Sequence, residues 1–424
     1  MPQTGAPIRV AHDISFLGTF FRHRTAQSGV YRVVEQLLLA LCGRDDLELT
    51  AVAICGEDLI GDVTAAWQYF AGKELHQCRF DPAIDRWLSR QYVRILRDGI
   101  PKPINHNQRL TRIIRKADRP RPLLDAGRYD VFHSPFFPLP SRNLMGSVPR
   151  VQTVYDLIAC RRPDWMTEDI VGLMHRVLSG IDPERDWVTC ISEFTRQEFC
   201  EYTGMSPDRV FVTPLAAACH FRPVEDSAVI DVVRKKYGIP DGDYFLSLGA
   251  LQPRKNFTRV IRSFLQLVRQ QSMANLNLVI VGEKAWLYEE LLSSVTDLGE
   301  LRDSLIFTGF IDDQDLSAVY SGAKAFIFVS LYEGFGLPVL EAMQCGTPVI
   351  ASNTTAVPEV VGDAGLLVDP GDTDELSNAM LSLLQDETQA LDLKRRGLRR
   401  SSEFSWTACG EHTMRAYSAA TQST

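Results

Sequence analysis

The stretch Glu333-Gly334-Phe335-Gly336-Leu337-Pro338-Val339-Leu340-Glu341-Ala342 comes shortly after an apolar run at 325–329 that has the length of a buried strand. A helix is predicted over 338–344, because Pro338 suits the first helical turn, where it removes no intrahelical hydrogen bond. The two glycines let a ligand approach the backbone closely. The stretch therefore predicts a strand, a ligand-binding loop and a helix in direct succession.

The same alternation of short apolar runs and longer amphipathic segments continues in both directions and predicts an α/β protein with parallel sheets. In the second half, strands are expected at 244–249, 276–282, 305–308, 325–329, 349–351 and 365–368, and helices at 259–270, 315–321 and 338–344. In the first half, strands are expected at 9–11, 49–55, 131–133, 151–155 and 188–191, a helix at 30–41 and a turn at 143–149. This rhythm predicts doubly wound, Rossmann-like domains.

The length of 424 residues is too great for a single core and indicates two domains of roughly 200 residues each. Residues 213–226 contain Pro214 and Pro223 and show neither helical nor strand periodicity, so they are predicted to be the inter-domain linker. A terminal helix is predicted over 405–420, where apolar residues recur at helical separations.

The composition is that of a compact globular protein, with 45% hydrophobic and 23% charged residues. A net charge of -8 argues against general affinity for nucleic acids. The nine scattered cysteines include no Cys-x-x-Cys pair, so neither a structural zinc site nor a disulfide framework is expected. The N-terminus lacks a signal-peptide pattern and no apolar run approaches the ~18 residues of a membrane span, so a cytoplasmic location is expected.

Three loops follow predicted strand ends in the second half, which is where open parallel sheets bind ligands. The loop Gly249-Ala250-Leu251-Gln252-Pro253-Arg254-Lys255-Asn256 carries two adjacent cations that suit a diphosphate, or else form an ordinary solvated basic loop. The loop Gly309-Phe310-Ile311-Asp312-Asp313 could reach a nucleobase edge, or could begin a helix with Asp312 or Asp313 as its cap.

The third loop contains Glu333, and Glu341 is expected about one turn into the following helix. Ionised carboxylates only accept hydrogen bonds, so the two residues suit the hydroxyls of a sugar and of a ribose. The alternative for Glu341 is an interaction with the positive end of its own helix. The pair, together with Arg254 and Lys255 on the same sheet edge, favours a nucleotide-sugar site.

With its Glu, seven residues, Glu spacing and internal Gly-Phe-Gly, the segment from Tyr244 to Pro370 resembles the family 4 retaining glycosyltransferases of the GT-B fold, also called glycosyl transferases group 1. Further matching motifs are Ser247-Leu248-Gly249, Pro253 to Asn256, Val279 to Gly282, Thr308-Gly309-Phe310, Gly346 to Ser352 and Pro358 to Gly362. The resemblance implies two Rossmann-like domains that face each other across a cleft. An acceptor-binding domain would comprise 1–222 plus 404–424, with the terminal helix crossing back, and a donor-binding domain 223–403.

The resemblance also implies a role for each matching residue of the second half. Arg254 and Lys255 would bind the donor diphosphate and stabilise its departure without a metal, and the donor would be a co-substrate rather than a bound cofactor. Glu333 would contact the transferred sugar, around which the backbone of Gly334, Phe335, Gly336 and Leu337 would wrap. Glu341 would hold the ribose, and Ile311 and Asp313 would lie near the base. The implied activity is transfer of a hexose or deoxyhexose, with retention, to a glycan or lipid-linked glycan in polysaccharide biosynthesis.

The first half resembles the family less closely. Ser28-Gly29-Val30 with Arg32 is similar to the family's glycine loop, where Gly29 would approach the donor phosphate; the alternative is an ordinary helix start capped by Ser28. Ile191-Ser192-Glu193-Phe194 is similar to a strand end that faces the cleft, although Ser192 is better suited to capping the next helix.

The departure from the family lies in Thr153-Val154-Tyr155-Asp156-Leu157-Ile158, where the family commonly has His-Asp. Tyr155 and Asp156 are taken as catalytic candidates, and Tyr155 leads to the hypothesis that the donor sugar differs at its 6-position, as in a deoxy sugar. His133, at the end of a neighbouring strand, is an alternative histidine for the cleft.

Residues 85–128 contain twelve Lys or Arg and four Asp, a local excess of eight positive charges. Such a segment is typical either of a solvated helical face or of peripheral contact with an anionic membrane surface between 86 and 128. Other functional classes are a nucleotide-sugar-binding protein without turnover and a nucleotide-sugar epimerase of the same fold. A Rossmann dehydrogenase is disfavoured, because no Gly-x-Gly-x-x-Gly follows the first strand.

Overall fold

A computed structural model of the chain describes residues 6–23, 29–54, 65–66, 68–72, 75, 78–80, 127–271, 275–282 and 299–422. The described strands form two sheets in which every pair of neighbours is parallel. The prediction of two doubly wound sheets is therefore confirmed.

The first sheet has seven strands in the order β3-β2-β1-β4-β5-β6-β7. Its strands are β1 (Ile8–Asp13), β2 (Leu47–Val52), β3 (Arg79–Phe80), β4 (Val131–Ser134), β5 (Arg150–Val154), β6 (Trp187–Cys190) and β7 (Val210–Val212). The α-helices of this half whose bounds are described are α1 (Ser15–His23), α2 (Gly29–Cys42), α3 (Arg142–Met145), α4 (Ile158–Arg161), α5 (Glu168–Ser179) and α6 (Glu193–Thr203).

The second sheet has six strands in the order β10-β9-β8-β11-β12-β13. They are β8 (Asp243–Leu248), β9 (Leu276–Val281), β10 (Leu305–Gly309), β11 (Ala325–Phe328), β12 (Val349–Ser352) and β13 (Leu366–Val368). The helices that follow the first sheet are α7 (Ser227–Lys236), α8 (Phe257–Gln271), α9 (Asp313–Ser321), α10 (Leu337–Gln344), α11 (Val357–Val361), α12 (Thr373–Gln385), α13 (Glu387–Ser402) and α14 (Trp406–Gln422).

The core of the second half lies on both faces of its sheet. All residues of β9, β11 and β12 are buried, because helices cover both faces of a parallel sheet and its strands are then apolar throughout. Helix α8 turns a continuous apolar face to the sheet that includes Val260, Ile261 and Phe264, each fully buried. This packing fixes the strand ends that carry the candidate site.

The terminal helix α14 packs against α2 and against strands β4 to β7, so it belongs to the first sheet although it is last in sequence. Residues 213–226, the predicted linker, form neither helix nor strand. The exact domain limits at 222 and 403 stay predictions. Within the described residues, no helix combines the length and the apolar character needed to cross a bilayer.

The structure contains several elements that the sequence analysis does not predict, and they include helices α1, α5, α12 and α13, which are nine to sixteen residues long. Strands β3 and β7 and helix α7 were not predicted, and α3 occupies part of the expected turn at 143–149. A strand of two or three residues at a sheet edge carries too little pattern for a period to be recognised. The fold of the site is unaffected, since both unpredicted strands lie at the two edges of the first sheet.

Candidate active site

The candidate site lies at the carboxyl ends of β8 and β11, two adjacent strands between which the strand order of the second sheet reverses. Such a reversal leaves a crevice for a ligand, because the connections on the two sides run to opposite faces. Arg254 and Lys255 lie in a 3-10 turn after β8, and Glu333 follows β11. The structure thus brings these three predicted residues together.

Both cations contact the same oxygen of Glu333. Arg254 Nη1 lies 2.8 Å and Lys255 Nζ 2.6 Å from Glu333 Oε1, and the three side chains are largely buried. Burial on its own would raise the pKa of Glu333, but Lys255 and Arg254 outweigh it and the pKa is lowered. Burial lowers the pKa of Lys255, and Glu333 offsets this only in part. The cluster is therefore a compact, largely buried centre of two cations and one carboxylate.

The loop after Glu333 turns sharply into α10. Gly336 caps that helix with φ of 121°, a backbone conformation that residues with a Cβ rarely adopt. Pro338 lies in the first helical turn, as the sequence predicts. The ring of Phe335 is buried and makes an edge contact with Phe404, so the loop presents backbone rather than this side chain to the cleft.

Glu341 is buried in α10 and is held from both halves of the molecule. Tyr320 donates a hydrogen bond to Glu341 Oε2 at 3.0 Å, while Arg32 Nη1, from α2, lies 3.4 Å from Glu341 Oε1. Arg32 also forms an ion pair with Asp313, the first residue of α9. The carboxylate of Glu341 therefore contacts side chains, not the positive end of its own helix.

A cavity of about 420 Å³ opens beside this ion pair. Its lining includes Arg32, Asp313 and Phe310, whose side chain is 57% exposed. The volume lies within the range of small-molecule sites, and an exposed aromatic face next to a carboxylate suits a flat, hydrogen-bonding ring. Ile311 is buried and contributes no exposed side chain there.

Comparison with known proteins gives the family. The sequence profile of the glycosyl transferases group 1 matches residues 229–400, and that of glycosyltransferase family 4 matches residues 75–217. The O-antigen chain mannosyltransferase B of Escherichia coli is 33% identical over 287 residues, which cover 68% of this chain and 74% of that protein. The chain belongs to the group 1 glycosyltransferases.

Other relatives of this glycosyltransferase include the serotype-specific mannosyltransferase WbdA of Escherichia coli, 36% identical over 222 residues. These cover 52% of this chain but only 27% of WbdA. A GDP-mannose-dependent alpha-(1-6)-phosphatidylinositol monomannoside mannosyltransferase of Mycolicibacterium smegmatis is 29% identical over 256 residues, covering 58% of this chain and 65% of that protein.

Among solved structures, Anabaena HepE in complex with UDP and glucose superposes with a TM-score of 0.63 at 15% identity, covering 97% of this chain and 100% of that one. This likeness shows the GT-B fold of the glycosyltransferase. The relatives are transferases, so neither the binding protein without turnover nor the epimerase is favoured.

The structure does not direct the hydroxyl of Tyr155 toward the donor loop of this glycosyltransferase. The side chain is buried and its hydroxyl donates to the carbonyl of Pro135 at 2.8 Å. Since a neutral phenol has one proton to donate, the predicted contact with the donor sugar would require that bond to break. The backbone of Tyr155 is what lies at the cleft: a Cβ built on Gly334 would be 2.2 Å from its carbonyl oxygen.

Asp156 lies beside the same loop, with its Cβ 2.9 Å from a Cβ built on Gly334. Its carboxylate accepts a hydrogen bond from Ile158 N at 3.0 Å. Burial raises the pKa of Asp156, and Arg254 opposes that rise. The residue is therefore near the charged centre, as its place among the catalytic candidates requires.

His133 is not a cleft residue of the glycosyltransferase. It is fully buried, and its two ring nitrogens lie 2.7 Å from Tyr417 Oη and 2.8 Å from Thr153 Oγ1. The alternative role of His133 in the cleft is thus wrong, because both of its polar atoms are occupied inside the first sheet. Ser192 caps α6 as predicted, accepting a hydrogen bond from Thr195 N at 3.0 Å.

Gly29 begins α2 and has open space beside it, with nothing within 4 Å of a Cβ built there. Its predicted approach to a donor phosphate stays a prediction. Ser28, the alternative cap, lies outside the described residues, as does the basic stretch 86–128 apart from its last two residues.

Three contacts around the site were not predicted. Thr355, with φ of 56°, accepts a hydrogen bond from Glu333 N at 3.1 Å. Asn256, with φ of 60°, donates to the carbonyls of Val329 and Pro370 at 3.1 and 2.8 Å. Both residues hold the site loops in place. Asparagine is enriched in this left-handed conformation, but the sequence carries no such signal for Thr355.

Proposed function

We propose that this glycosyltransferase transfers mannose from GDP-mannose, with retention and without a metal, to a glycan or lipid-linked glycan. The observation that carries the proposal is the contact of Arg254 and Lys255 with a single oxygen of Glu333 at the point where the strand order reverses. The names of three relatives, which are mannosyltransferases, support mannose, and one of these names specifies GDP-mannose.

The cations act on the leaving group. When a donor binds, its diphosphate replaces the carboxylate of Glu333 as the counterion of Arg254 and Lys255. The bond between the anomeric carbon and the diphosphate oxygen breaks, and its electron pair leaves with GDP. Fixed cations in a largely buried site stabilise this developing charge, which is the contribution that a metal makes in other transferases.

Glu333 then binds the transferred sugar. Once released from the cations, its carboxylate accepts hydrogen bonds from sugar hydroxyls. The acceptor hydroxyl forms the new bond on the face that the diphosphate leaves, and its proton passes to a departing phosphate oxygen. That course retains the anomeric configuration and requires no carboxylate nucleophile.

The base would occupy the cavity beside Phe310. Guanine offers adjacent N–H donors on one edge, and the carboxylate of Asp313 accepts hydrogen bonds only. Phe310 provides a flat surface for stacking. Guanine therefore fits this combination of an acceptor and an aromatic face, in agreement with the donor in the name of the Mycolicibacterium relative.

The acceptor would enter from the first half. Contact of 86–128 with anionic lipid would suit a lipid-linked acceptor, and this part of the proposal rests on charge alone. Sedimentation of the full chain with vesicles that contain or lack anionic lipid measures it. Binding that is absent at low salt would eliminate the membrane contact.

The donor is tested by incubating the full chain with GDP-mannose, GDP-6-deoxymannose, UDP-glucose and UDP-galactose, in parallel series with and without EDTA. Thermal shift reports binding, mass spectrometry reports transfer to fragments of O-antigen polysaccharide, and NMR of the product reports its anomeric configuration. We expect GDP-mannose to give the largest stabilisation and a product whose anomeric proton shows the α configuration of the donor. Arg254→Met should reduce kcat by about a hundredfold or more, whereas Arg9→Met, near the amino end of β1 in the first sheet, serves as the matched control.

Each alternative outcome removes a stated part of the proposal. Preference for a UDP-sugar would exclude guanine, and loss of activity in EDTA would exclude metal-free departure of the diphosphate. Preference for GDP-6-deoxymannose over GDP-mannose, which differ only at the 6-position, would favour the deoxy-sugar hypothesis raised by Tyr155. Binding of donors with no product under any condition would favour a protein without turnover.

A further inference from the structure

Arg32 belongs to the first half of the molecule but forms its ion pairs with carboxylates of the second half. It lies on α2, whose neighbouring residues Tyr31, Val33 and Val34 are buried in the first half. Its guanidinium crosses the cleft to two carboxylates of the second half, with Nη2 on Asp313 and Nη1 3.4 Å from Glu341 Oε1. The side chain retains 23% of its exposure, so a ligand in the cleft can reach it.

The second partner, Glu341, is shifted toward its ionised form by this arginine. Burial raises the pKa of Glu341; Arg32 opposes the rise most strongly and the Tyr320 hydroxyl next. A protonated carboxyl loses acceptor capacity, so ribose hydroxyls require the ionised form. Arg32 and Tyr320 use one position on each carboxylate oxygen, which leaves other lone-pair positions for a ligand.

The first partner, Asp313, faces the 420 Å³ cavity in which the base is proposed to bind. Among the described residues that line this cavity, Arg32 is the one that comes from the first half; the others, such as Phe310 and Lys236, come from the second. A single side chain thus contacts both carboxylates expected to bind the nucleoside. If the halves separated, both would lose this cation at once.

We infer that Arg32 is a positioning residue of the donor site, supplied by the acceptor half, and that it makes tight binding of the nucleoside depend on closure of the two halves. The inference rests on the proposed function, since it assumes a nucleotide donor. Arg32 holds Asp313 and Glu341 at a fixed separation and opposes the rise in the pKa of Glu341, which favours its ionised form. An open molecule would retain Arg254 and Lys255 but would bind the nucleoside weakly.

The test is calorimetric titration of GDP into the full chain. Arg32→Met should weaken GDP binding by about ten- to a hundredfold, as removal of one partner from a partly buried charge cluster does. Arg32→Lys keeps the charge but loses the two-pronged contact, so its affinity for GDP should lie between those of wild type and Arg32→Met. In steady-state transfer assays of Arg32→Met, the loss of kcat/KM should come mainly from a higher KM for the donor rather than from a lower kcat. The control is Arg9→Met, which breaks a comparable Arg–Asp pair near the amino end of β1.

A pH series separates positioning from a merely structural role. Glu341 is faced by Arg32, Asp313, Lys255 and Tyr320, with Cys345 and, beside Arg32, His220 nearby. Removing Arg32 removes a cause that lowers the pKa of Glu341, so more of the carboxyl is protonated as the pH falls. The ratio of GDP dissociation constants, Arg32→Met over wild type, should therefore grow between about pH 8 and about pH 5.5.

The outcomes distinguish the inference from the proposed function. If wild type binds no GDP, the proposed function fails. If wild type binds GDP and Arg32→Met binds it equally well, or more tightly because Arg32 competes with the nucleoside, the inference is overturned while the function stands. If Arg32→Met does not fold, Arg32→Lys decides alone, since unchanged GDP affinity and an unchanged KM in that variant contradict the inference.

Discussion

At the scale of single residues, the charged centre holds its own counterion. Arg254 and Lys255 both contact Glu333 Oε1, within 2.8 Å, so one of their two positive charges is offset before any phosphate arrives. A carboxylate in this position has two opposed effects. It keeps two buried cations together in the folded protein, and it competes with the diphosphate for them.

Glu333→Gln is expected to separate these effects. Without the carboxylate charge of Glu333, GDP should bind about two- to tenfold more tightly, because its diphosphate no longer competes with this carboxylate for the two cations. Transfer should nevertheless fall by about a hundredfold, since the amide is a weaker acceptor for the sugar hydroxyls. Calorimetry with GDP and initial rates with the sugar donor measure the two quantities, and Glu375→Gln, in the same half, serves as the control. Weaker GDP binding in Glu333→Gln would contradict the competition.

The sequence predicts the members of this centre but not all their partners. Arg254, Lys255 and Glu333 are recognisable because each follows a strand whose end faces the same crevice. The contact of Arg32 with Glu341 spans 309 positions in sequence, and no local pattern encodes which carboxylate an arginine will meet across a cleft. The orientation of Tyr155 toward Pro135 is likewise a matter of packing rather than of residue type.

At the scale of elements, the terminal helix α14 is joined to the first sheet by buried polar groups. Tyr417 Oη lies 2.7 Å from His133 on β4, and His133 contacts Thr153 on β5, which contacts Thr189 on β6. His12 on β1 makes an edge contact with His133 and is fully buried. Burial lowers the pKa of His12 to about 3 and that of His133 well below its usual value.

These histidines should make the first half sensitive to acid. They stay neutral in the folded state, whereas in the unfolded chain they bind a proton below a pH of about 6.5. The unfolded state therefore binds more protons, and the free energy of unfolding should fall by up to about 1.4 kcal/mol per pH unit per histidine between about pH 6.5 and pH 3.

Urea unfolding between about pH 8 and pH 4 measures this slope. His12→Leu should reduce it relative to wild type, with other titrating groups cancelling in the difference. Tyr417→Phe should lower stability by about 1 kcal/mol between about pH 8 and pH 4 without changing the slope, because it removes a hydrogen bond and a phenol whose raised pKa lies above this range. An identical slope in wild type and His12→Leu would show that the His12 ring is not kept neutral by folding.

Prediction of the elements succeeds where burial is complete. The strands of the second sheet were predicted to within one or two residues, since a strand covered on both faces is a short apolar run. Helix α8 was placed almost as well from its one-sided apolar pattern. The short helices α3, α4 and α11 were not predicted, because four or five residues span barely one helical turn and show no period.

At the scale of the whole molecule, the two halves are joined by contacts on both sides of the cleft. On one side is the contact of Arg32 with Asp313 and Glu341. On the other, Glu359 from the second half accepts hydrogen bonds from the backbone N–H groups of Glu193 and Phe194, at 2.8 and 3.1 Å, in the first turn of α6. A carboxylate at a helix N-terminus is also favoured by the helix dipole.

Glu359→Ala should shift the molecule toward an open form. The first turn of α6 would lose an anionic partner worth about 1–2 kcal/mol, so the radius of gyration measured by small-angle X-ray scattering should increase and kcat/KM should fall about tenfold. The matched control is Glu375→Ala, which removes a carboxylate that accepts the N–H of Asp369 within the second half. An unchanged scattering profile with unchanged kinetics in Glu359→Ala would show that this contact does not hold the cleft closed.

The close approach of Gly334 to Tyr155 leaves no space for a side chain at position 334 between the two halves of the enzyme. A methyl group at position 334 would overlap the Tyr155 carbonyl and crowd Asp156, so one added carbon would act as a wedge between the halves. Gly334→Ala would keep every charged group that binds a nucleotide sugar and lose the fit that brings an acceptor to it. The added methyl group of Gly334→Ala should therefore leave a protein that binds the nucleotide sugar but no longer transfers the sugar to an acceptor.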